Sequence, residues 1–285
     1  MIDIPWVPVH SSPPTEGLPW FVKGDCETPS STRQSCNDGR AENANDNCEV
    51  VMAPANVRPV VDMWFVSATM GLIDGECASD ALASRLGWQS EIPLDVLVRQ
   101  LCEMGRLHQN LSSPSSLAQS IAGIVPQLYI RISKWLEKSV EGEDEVKERE
   151  QMLKELSQSP CVWIGNGFAT PNIVAFSGSI DLSPYLHVLP ADMVAFHSTL
   201  RVFGVRDTFT AAEYLHFLSA LWKEHRDGEI PLDSKRLSAA VFALQQLAEP
   251  GSDHVSEQQQ VAESVIYGPD ENCYLTPLSD LVYND

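Results

Sequence analysis

The chain has 285 residues, 44% of them hydrophobic, and carries 39 Asp and Glu against 19 Lys and Arg, a formal charge of −20. That length holds one large domain or two ordinary ones, and that excess of acid repels nucleic-acid backbones and anionic lipid, which argues against a nucleic-acid-binding role. No apolar run reaches the roughly 18 residues of a membrane span. The opening Met1-Ile2-Asp3-Ile4-Pro5 has neither the basic nor the apolar region of a secretory signal. Seven widely spaced cysteines without such a signal imply reduced thiols and a cytoplasmic location. Asn110-Leu111-Ser112 is then a chance glycosylation match.

Residues 1–23 mix Pro5, Pro8, Pro13, Pro14 and Pro19 with Trp6, Val7, Trp20 and Phe21, which predicts an extended segment held by its aromatics. Residues 24–49 lose nearly all large apolar side chains and read as a disordered polar loop. A helical region follows over 50–158. Val60 to Val66 is apolar throughout, so helix and strand are not distinguished there. Ser79-Asp80 opens a short helix that stops at Gly87-Trp88. Pro93 starts a helix carrying Leu94, Leu97, Leu101, Met104 and Leu107 on one side. A further helix spans Ser116 to Ser139, with Pro126 as a kink or break. Glu143 to Ser157 is a charged surface helix with i,i+4 pairs Glu143/Lys147, Glu145/Arg149 and Glu150/Lys154. Its narrow apolar stripe is Val146, Met152, Leu153 and Leu156.

Residues 159–285 read as a mixed α+β region. It begins with a hairpin at 161–170 and continues with three helices. Met193, Phe196, Leu200 and Phe203 share a face, and Gly204 caps them. Thr210-Ala211-Ala212-Glu213 forms a capping box that opens a helix through Trp222, buried along Tyr214, Leu215, Leu218, Leu221 and Trp222. Ser234 to Ala248 buries Leu237, Val241, Leu244 and Leu247. No repeat at a fixed period is visible. The fold class expected is α+β, mainly α: helical segments with a few short β-hairpin strands.

The chemistry turns on Cys161-Val162-Trp163-Ile164-Gly165-Asn166-Gly167, a strand running into glycines. A dinucleotide fingerprint requires a glycine where Thr170 stands, then a helix where Pro171 and Asn172 stand. No phosphate-loop Gly-Lys-Ser/Thr is present. Asn166-Gly167 instead predicts a two-residue hairpin turn with both positions at positive φ. Cys26, Cys36 and Cys48 lie singly in the polar loop, unlike paired zinc ligands. Cys77, Cys102, Cys161 and Cys273 read as small core residues. His187, His197, His216 and His225 are scattered, Ser177-Gly178-Ser179 is no nucleophile elbow, and Glu224-His225-Arg226-Asp227 reads as a solvated helix end. No catalytic residue, cofactor site or metal site is expected. From Glu249 onward there are eight acids and no Lys or Arg, a candidate docking surface for a basic partner.

An ordered set of phrases resembles sacsin and sacsin-like giant proteins. It comprises Trp6-Val7-Pro8-Val9, Leu18-Pro19-Trp20, Leu86-Gly87-Trp88 with Gln100-Leu101, and Trp163-Ile164-Gly165 with Phe168 and Pro171. Asp181-Leu182, Pro184-Tyr185-Leu186, Pro190, Phe203-Gly204-Val205, Pro269-Asp270-Glu271, Leu275 and Leu281 to Asp285 complete it. The resemblance implies a flanking segment of the long sacsin repeat rather than its ATPase-like domain, since no Asp-x-Gly-x-Gly signature is present. The implied function is that of a non-catalytic, chaperone-associated scaffold supporting protein folding through contacts with other proteins, without cofactors. A stand-alone acidic adaptor and an unrecognised enzyme are the alternatives. Trp163, Phe168, Tyr185 and Leu186 are expected to pack the junction between the hairpin and the following helices.

Overall fold

A computed structural model describes residues 4–10, 18–20, 50–75, 77, 79–109, 115–139, 142–178, 180, 182–248 and 265–281. The polar loop at 24–49, the sequon at 110–112, Cys26, Cys36 and Cys48, and most of the acidic C-terminal stretch lie outside these residues. The chain is mainly helical with short paired strands, as the sequence predicts. It divides into two compact units, residues 1–111 and 112–285, so the division falls inside the span the sequence reads as one helical region.

In the first unit β1 (Val7–Val9) pairs antiparallel with β2 (Val50–Met52), Val7 opposite Met52 and Pro8 opposite Val51. A 3-10 turn at Pro54–Asn56 leads into β3 (Val57–Arg58). The ambiguous apolar run resolves as a 3-10 turn at Val60–Asp62 followed by α1 (Met63–Val66). Next, β4 (Gly71–Leu72) lies parallel to β3. The Ser79 hydroxyl caps α2 (Asp80–Arg85) by accepting from Leu82 N–H. Then α3 (Leu94–Gln109) buries Leu97, Leu101 and Met104 on the predicted side. The core gathers Val7, Val9, Val57, Ile73, Ala83 and Trp88.

The second unit opens with α4 (Ser115–Leu136), which runs through Pro126 without ending. In α5 (Glu143–Gln158) Leu156 is buried and Val146 is exposed, so the stripe is narrower than predicted. Arg149 turns away from its predicted partner, donating to the Lys138 carbonyl at 3.2 Å and to that of Leu136.

The hairpin follows as β5 (Val162–Trp163) and β6 (Phe168–Ala169), antiparallel. Its turn is displaced by one residue from the sequence reading. Ile164 N–H donates to the Gly167 carbonyl at 2.9 Å, which makes Gly165-Asn166 the central pair. Gly165 alone carries positive φ, +94°. Glycine in the first central position marks the II′ turn, whereas Asn-Gly had suggested I′.

A 3-10 turn at Pro171–Ile173 leads into β7 (Val174–Ala175), which pairs parallel with β8 (His187–Val188). The predicted helix from Pro190 splits into a 3-10 stretch, Ala191–Phe196, and α6 (His197–Phe203), capped by Gly204 at φ +110°. The capping box opens α7 (Ala211–Glu224): Thr210 N–H donates to Glu213 Oε2 at 2.8 Å. In α8 (Ser234–Ala248) the buried residues are Ala239, Ala240 and Ala243, while Val241 is exposed. The small face lets α7 approach closely, and the larger Leu237, Leu244 and Leu247 are half-buried around that contact. Finally β9 (Tyr267–Pro269) and β10 (Leu275–Pro277) form an antiparallel hairpin on α7 and α8, with Tyr267 stacked on Trp222 at 4.6 Å.

The sequence reading of no repeat is overturned by the hydrogen bonds. Asn56 N–H bonds the Ala53 carbonyl, and Ile173 N–H that of Thr170. Ile73 N–H bonds Arg58, and Leu189 N–H bonds Ala175. Gly87 N–H bonds Ser84 and Gly204 N–H bonds Arg201, both glycines at positive φ. Positions 54 and 171, 58 and 175, and 87 and 204 are each separated by 117. Hairpin, 3-10 turn, parallel strand pair, glycine-capped helix and following helix therefore occur twice. The copies close one gap differently. Phe176 N–H bonds the Arg206 carbonyl and Ser177 N–H that of Asp207. In the first copy Pro59 stands at the Phe176 position and has no N–H to give. There the buried Arg58 guanidinium donates to the carbonyls of Trp88 at 3.1 Å and Ser90 at 3.0 Å.

Candidate functional site

The glycine turn lines a cleft of about 550 Å³ in the second unit. Ile164, Gly165 and Asn166 form one side. Ser183 and Pro184, from the segment joining β7 to β8, and His187 and Val188, from β8 itself, form the other. The parallel pairing of β7 with β8 fixes this wall: His187 stands opposite Val174. Ser183 Oγ and His187 Nδ1 are 3.4 Å apart. A smaller cleft of about 200 Å³ shares Ser183 and Pro184 and is closed by Tyr185, Phe217, Asp233 and Arg236. The Tyr185 hydroxyl is buried without a hydrogen-bond partner. Tyr185 packs edge-on against Phe217 at 5.4 Å and Leu186 joins the α7–α8 core, while Trp163 and Phe168 pack edge to face on each other within the hairpin.

The other predicted features are dispersed. His197 Nε2 pairs with Asp207 at 3.2 Å, and Arg201 reaches the other oxygen of the same carboxylate at 3.1 Å. Glu224, Arg226 and Asp227 are exposed at the end of α7, as the sequence predicts, while His225 turns inward and is buried with Nδ1 3.2 Å from the Ile230 carbonyl. Cys102 and Cys161 are buried as expected, while Cys77 and Cys273 are half-exposed. Among the described residues no group of three or more His, Cys, Asp or Glu could hold a metal ion.

Shifted titrating groups mark support points. Burial pushes the Tyr129 phenol up, with the nearby Cys161 adding to the rise. Its hydroxyl donates to the Cys161 carbonyl at 2.8 Å and accepts from Trp163 N–H at 3.0 Å, tying α4 to the edge of β5. Burial holds Arg58 below its ordinary value, opposed by Asp62. Burial likewise lowers His108. Hydrogen bonds from the Arg236 backbone and side chain hold Asp233 below the usual carboxylate value. None of these groups lines the larger cleft. The cleft therefore offers apolar walls, one amide, one hydroxyl and one imidazole.

No protein-family profile and no solved structure matches the chain. The human (Homo sapiens) protein Sacsin is 26% identical over 107 residues, a stretch covering 37% of this chain and 2% of that protein. The chain is thus similar to human Sacsin over a limited region, and the match spans about one fiftieth of that protein's length.

Proposed function

We propose that this chain is a non-catalytic scaffold segment of the sacsin-like kind, acting in protein folding and quality control in the cytoplasm by presenting surfaces to other proteins. The observation that carries the reading is the twofold use of one architecture at a spacing of 117 residues. Repeated modules build extended binding surfaces, with each module's core serving its neighbours. The partial likeness to human Sacsin supports the same reading. Among the described residues no helix is long and apolar enough to cross a membrane.

The test is heat aggregation of a labile reporter enzyme with and without equimolar chain. A delay in light scattering that does not depend on added ATP is expected, and an unchanged time course overturns the scaffold reading. The 3.4 Å Ser183–His187 contact defines the competing enzymatic reading. Hydrolysis of an activated ester by the chain, abolished by Ser183→Ala, would assign chemistry to the cleft and refute the non-catalytic part.

A further inference from the structure

The two copies treat one strand edge differently. In the first, β4 is engaged on both sides: β3 pairs with one edge, and β1 meets the other through the antiparallel bridge Val9↔Ile73. Two backbone bonds accompany that bridge. His10 N–H donates to the Leu72 carbonyl at 3.0 Å, and Asp74 N–H donates to the Pro8 carbonyl at 3.0 Å. The second copy has a counterpart for each of these residues. Arg58 faces Leu72 as Ala175 faces Val188, so β4 and β8 correspond at a step of 116, with one residue fewer in the second connection. Val7 faces Met52 as Val162 faces Ala169, which aligns the hairpins. Pro8 then matches Trp163, His10 matches Gly165, Leu72 matches Val188, and Asp74 matches Pro190. Two distances agree with this correspondence: His10 Nδ1 is 3.8 Å from Asp74 Oδ1, and a Cβ on Gly165 would lie 3.5 Å from Pro190 Cγ.

Proline has no N–H, so the donor that Asp74 supplies is missing at Pro190. Among the described residues no bond joins Gly165 N–H to the Val188 carbonyl, no bridge joins the hairpin to β8, and β8 pairs with β7 alone. The separation left between hairpin and strand is the cleft of about 550 Å³, with Ile164, Gly165 and Asn166 on one wall and His187 and Val188 on the other. That volume lies within the range of ligand sites, roughly 300–1,000 Å³. Ile180 and Pro184 add apolar surface, and no Asp, Glu, Lys or Arg lines the cleft.

We propose that this cleft takes an extended, uncharged segment of a partner polypeptide, which pairs with the open edge of β8 at Val188 as residues 8–10 pair with the edge of β4. The occupant is read from the first copy, where an extended backbone fills the equivalent place. A strand edge left open is a template for another chain. Main-chain bonds supply the affinity in such pairing, and the walls select the side chains. Here the walls select against charge, since a charged side chain would lose water and find no opposite charge among the lining residues. The proposal rests on the scaffold reading and names what the second unit would hold.

The probe is an acetylated and amidated peptide of residues 6–10, the backbone that covers the equivalent edge in the first copy. It is titrated into the isotope-labelled 285-residue chain and followed by amide NMR shifts. Saturable shifts of the Gly165, Asn166 and Val188 amides are expected. Methylating the peptide nitrogen at the His10 position removes the N–H that would reach the Val188 carbonyl, and should weaken binding about tenfold or more. Pro190→Asp restores the donor that Asp74 supplies, lets the chain close its own edge, and should abolish the shifts; circular dichroism and melting establish that this variant folds. No saturable shift at those amides, or equal affinity for the methylated and parent peptides, overturns the proposal whatever the variant does. Unchanged binding by folded Pro190→Asp also overturns it. Shifts of the same amides that grow with chain concentration alone assign the edge to a second copy and overturn it too. A chain that delays reporter aggregation but binds no peptide keeps the scaffold reading and loses this one.

Discussion

Replacing Tyr129 with Phe removes one oxygen from a fully buried site and leaves the ring in place. The ring keeps its edge contacts with Phe196 at 5.4 Å and Phe203 at 5.9 Å, so packing changes little. What is lost is a pair of hydrogen bonds that satisfy two backbone groups, the Cys161 carbonyl and the Trp163 N–H, both belonging to buried residues. Each buried backbone group left unpaired costs about 1–3 kcal/mol, so the variant should be destabilised by about 2–4 kcal/mol once partial relaxation is allowed. Urea unfolding gives the total. Amide exchange of the peptide spanning 161–163 isolates the second unit and should show the Trp163 amide opening sooner. The phenol adds a second readout. Its folded pKa is raised, so the contribution of neutral Tyr129 is complete below the unfolded value of about 10 and declines as pH rises above it. Tyr129→Phe should therefore lose less stability between pH 10 and 11 than the parent. A stability change below about 0.5 kcal/mol, with an unaltered alkaline slope, would refute the bridging role.

Gly165→Val should destabilise by about 1 kcal/mol or more, because φ at Gly165 is +94° and valine resists that region; Gly167→Val should cost clearly less, and melting temperatures of the pair decide between the two turn registers. Arg58→Met should lower stability by about 1–3 kcal/mol by leaving carbonyls at Trp88 and Ser90 unpaired. Arg58→Lys should rescue only part of this, since an ammonium lacks the planar fork, and chemical denaturation measures both. His108 sits below its ordinary value of 6.5 because burial favours the neutral ring. Its contribution is complete above that value and is lost as pH falls through and below it. Melting between pH 7.5 and 5.5 should show a smaller decline in His108→Gln than in the parent.

Local signals carried much of this fold. Pro93 before a leucine stripe, Ser79 before Asp80, and Thr210 three residues ahead of Glu213 each specify a helix start through groups no farther away than one turn, and all three helices begin there. The hairpin turn slipped by one residue because Gly165-Asn166-Gly167 satisfies two turn types, and strand register alone chooses between them. In α8 hydropathy favoured Leu237 and Val241, but the helix turns Ala239, Ala240 and Ala243 to α7, since close approach there outweighs residue size. The cleft is less legible still. It joins a turn at 165–166 to a strand at 187–188 through a parallel pairing that has no local signature.

An exact repetition of five residues points to the wrong equivalence, and this shows what the true repeat consists of. Glu-Ile-Pro-Leu-Asp occurs at 91–95 and again at 229–233, a step of 138. That step would lay Gly87, at φ +77°, on His225, at φ −85°. It would also equate buried Ile92 with exposed Ile230. The two pentapeptides enter their helices at different points. Leu94 already begins α3, whereas Asp233 stands outside α8 and accepts from Arg236 N–H at 2.8 Å. Proline and an acid near a helix start serve a local task, so the same five residues arise wherever that task recurs. The step of 117 is set by another kind of constraint: a carbonyl must meet an N–H and a chain must reverse at positive φ, demands that many residues can meet. A repeat held by backbone geometry can thus diverge until few identities remain, among them Pro54/Pro171, Val57/Val174, Gly87/Gly204, Leu101/Leu218 and His108/His225. Its faces can then be covered in one copy and left open in the next.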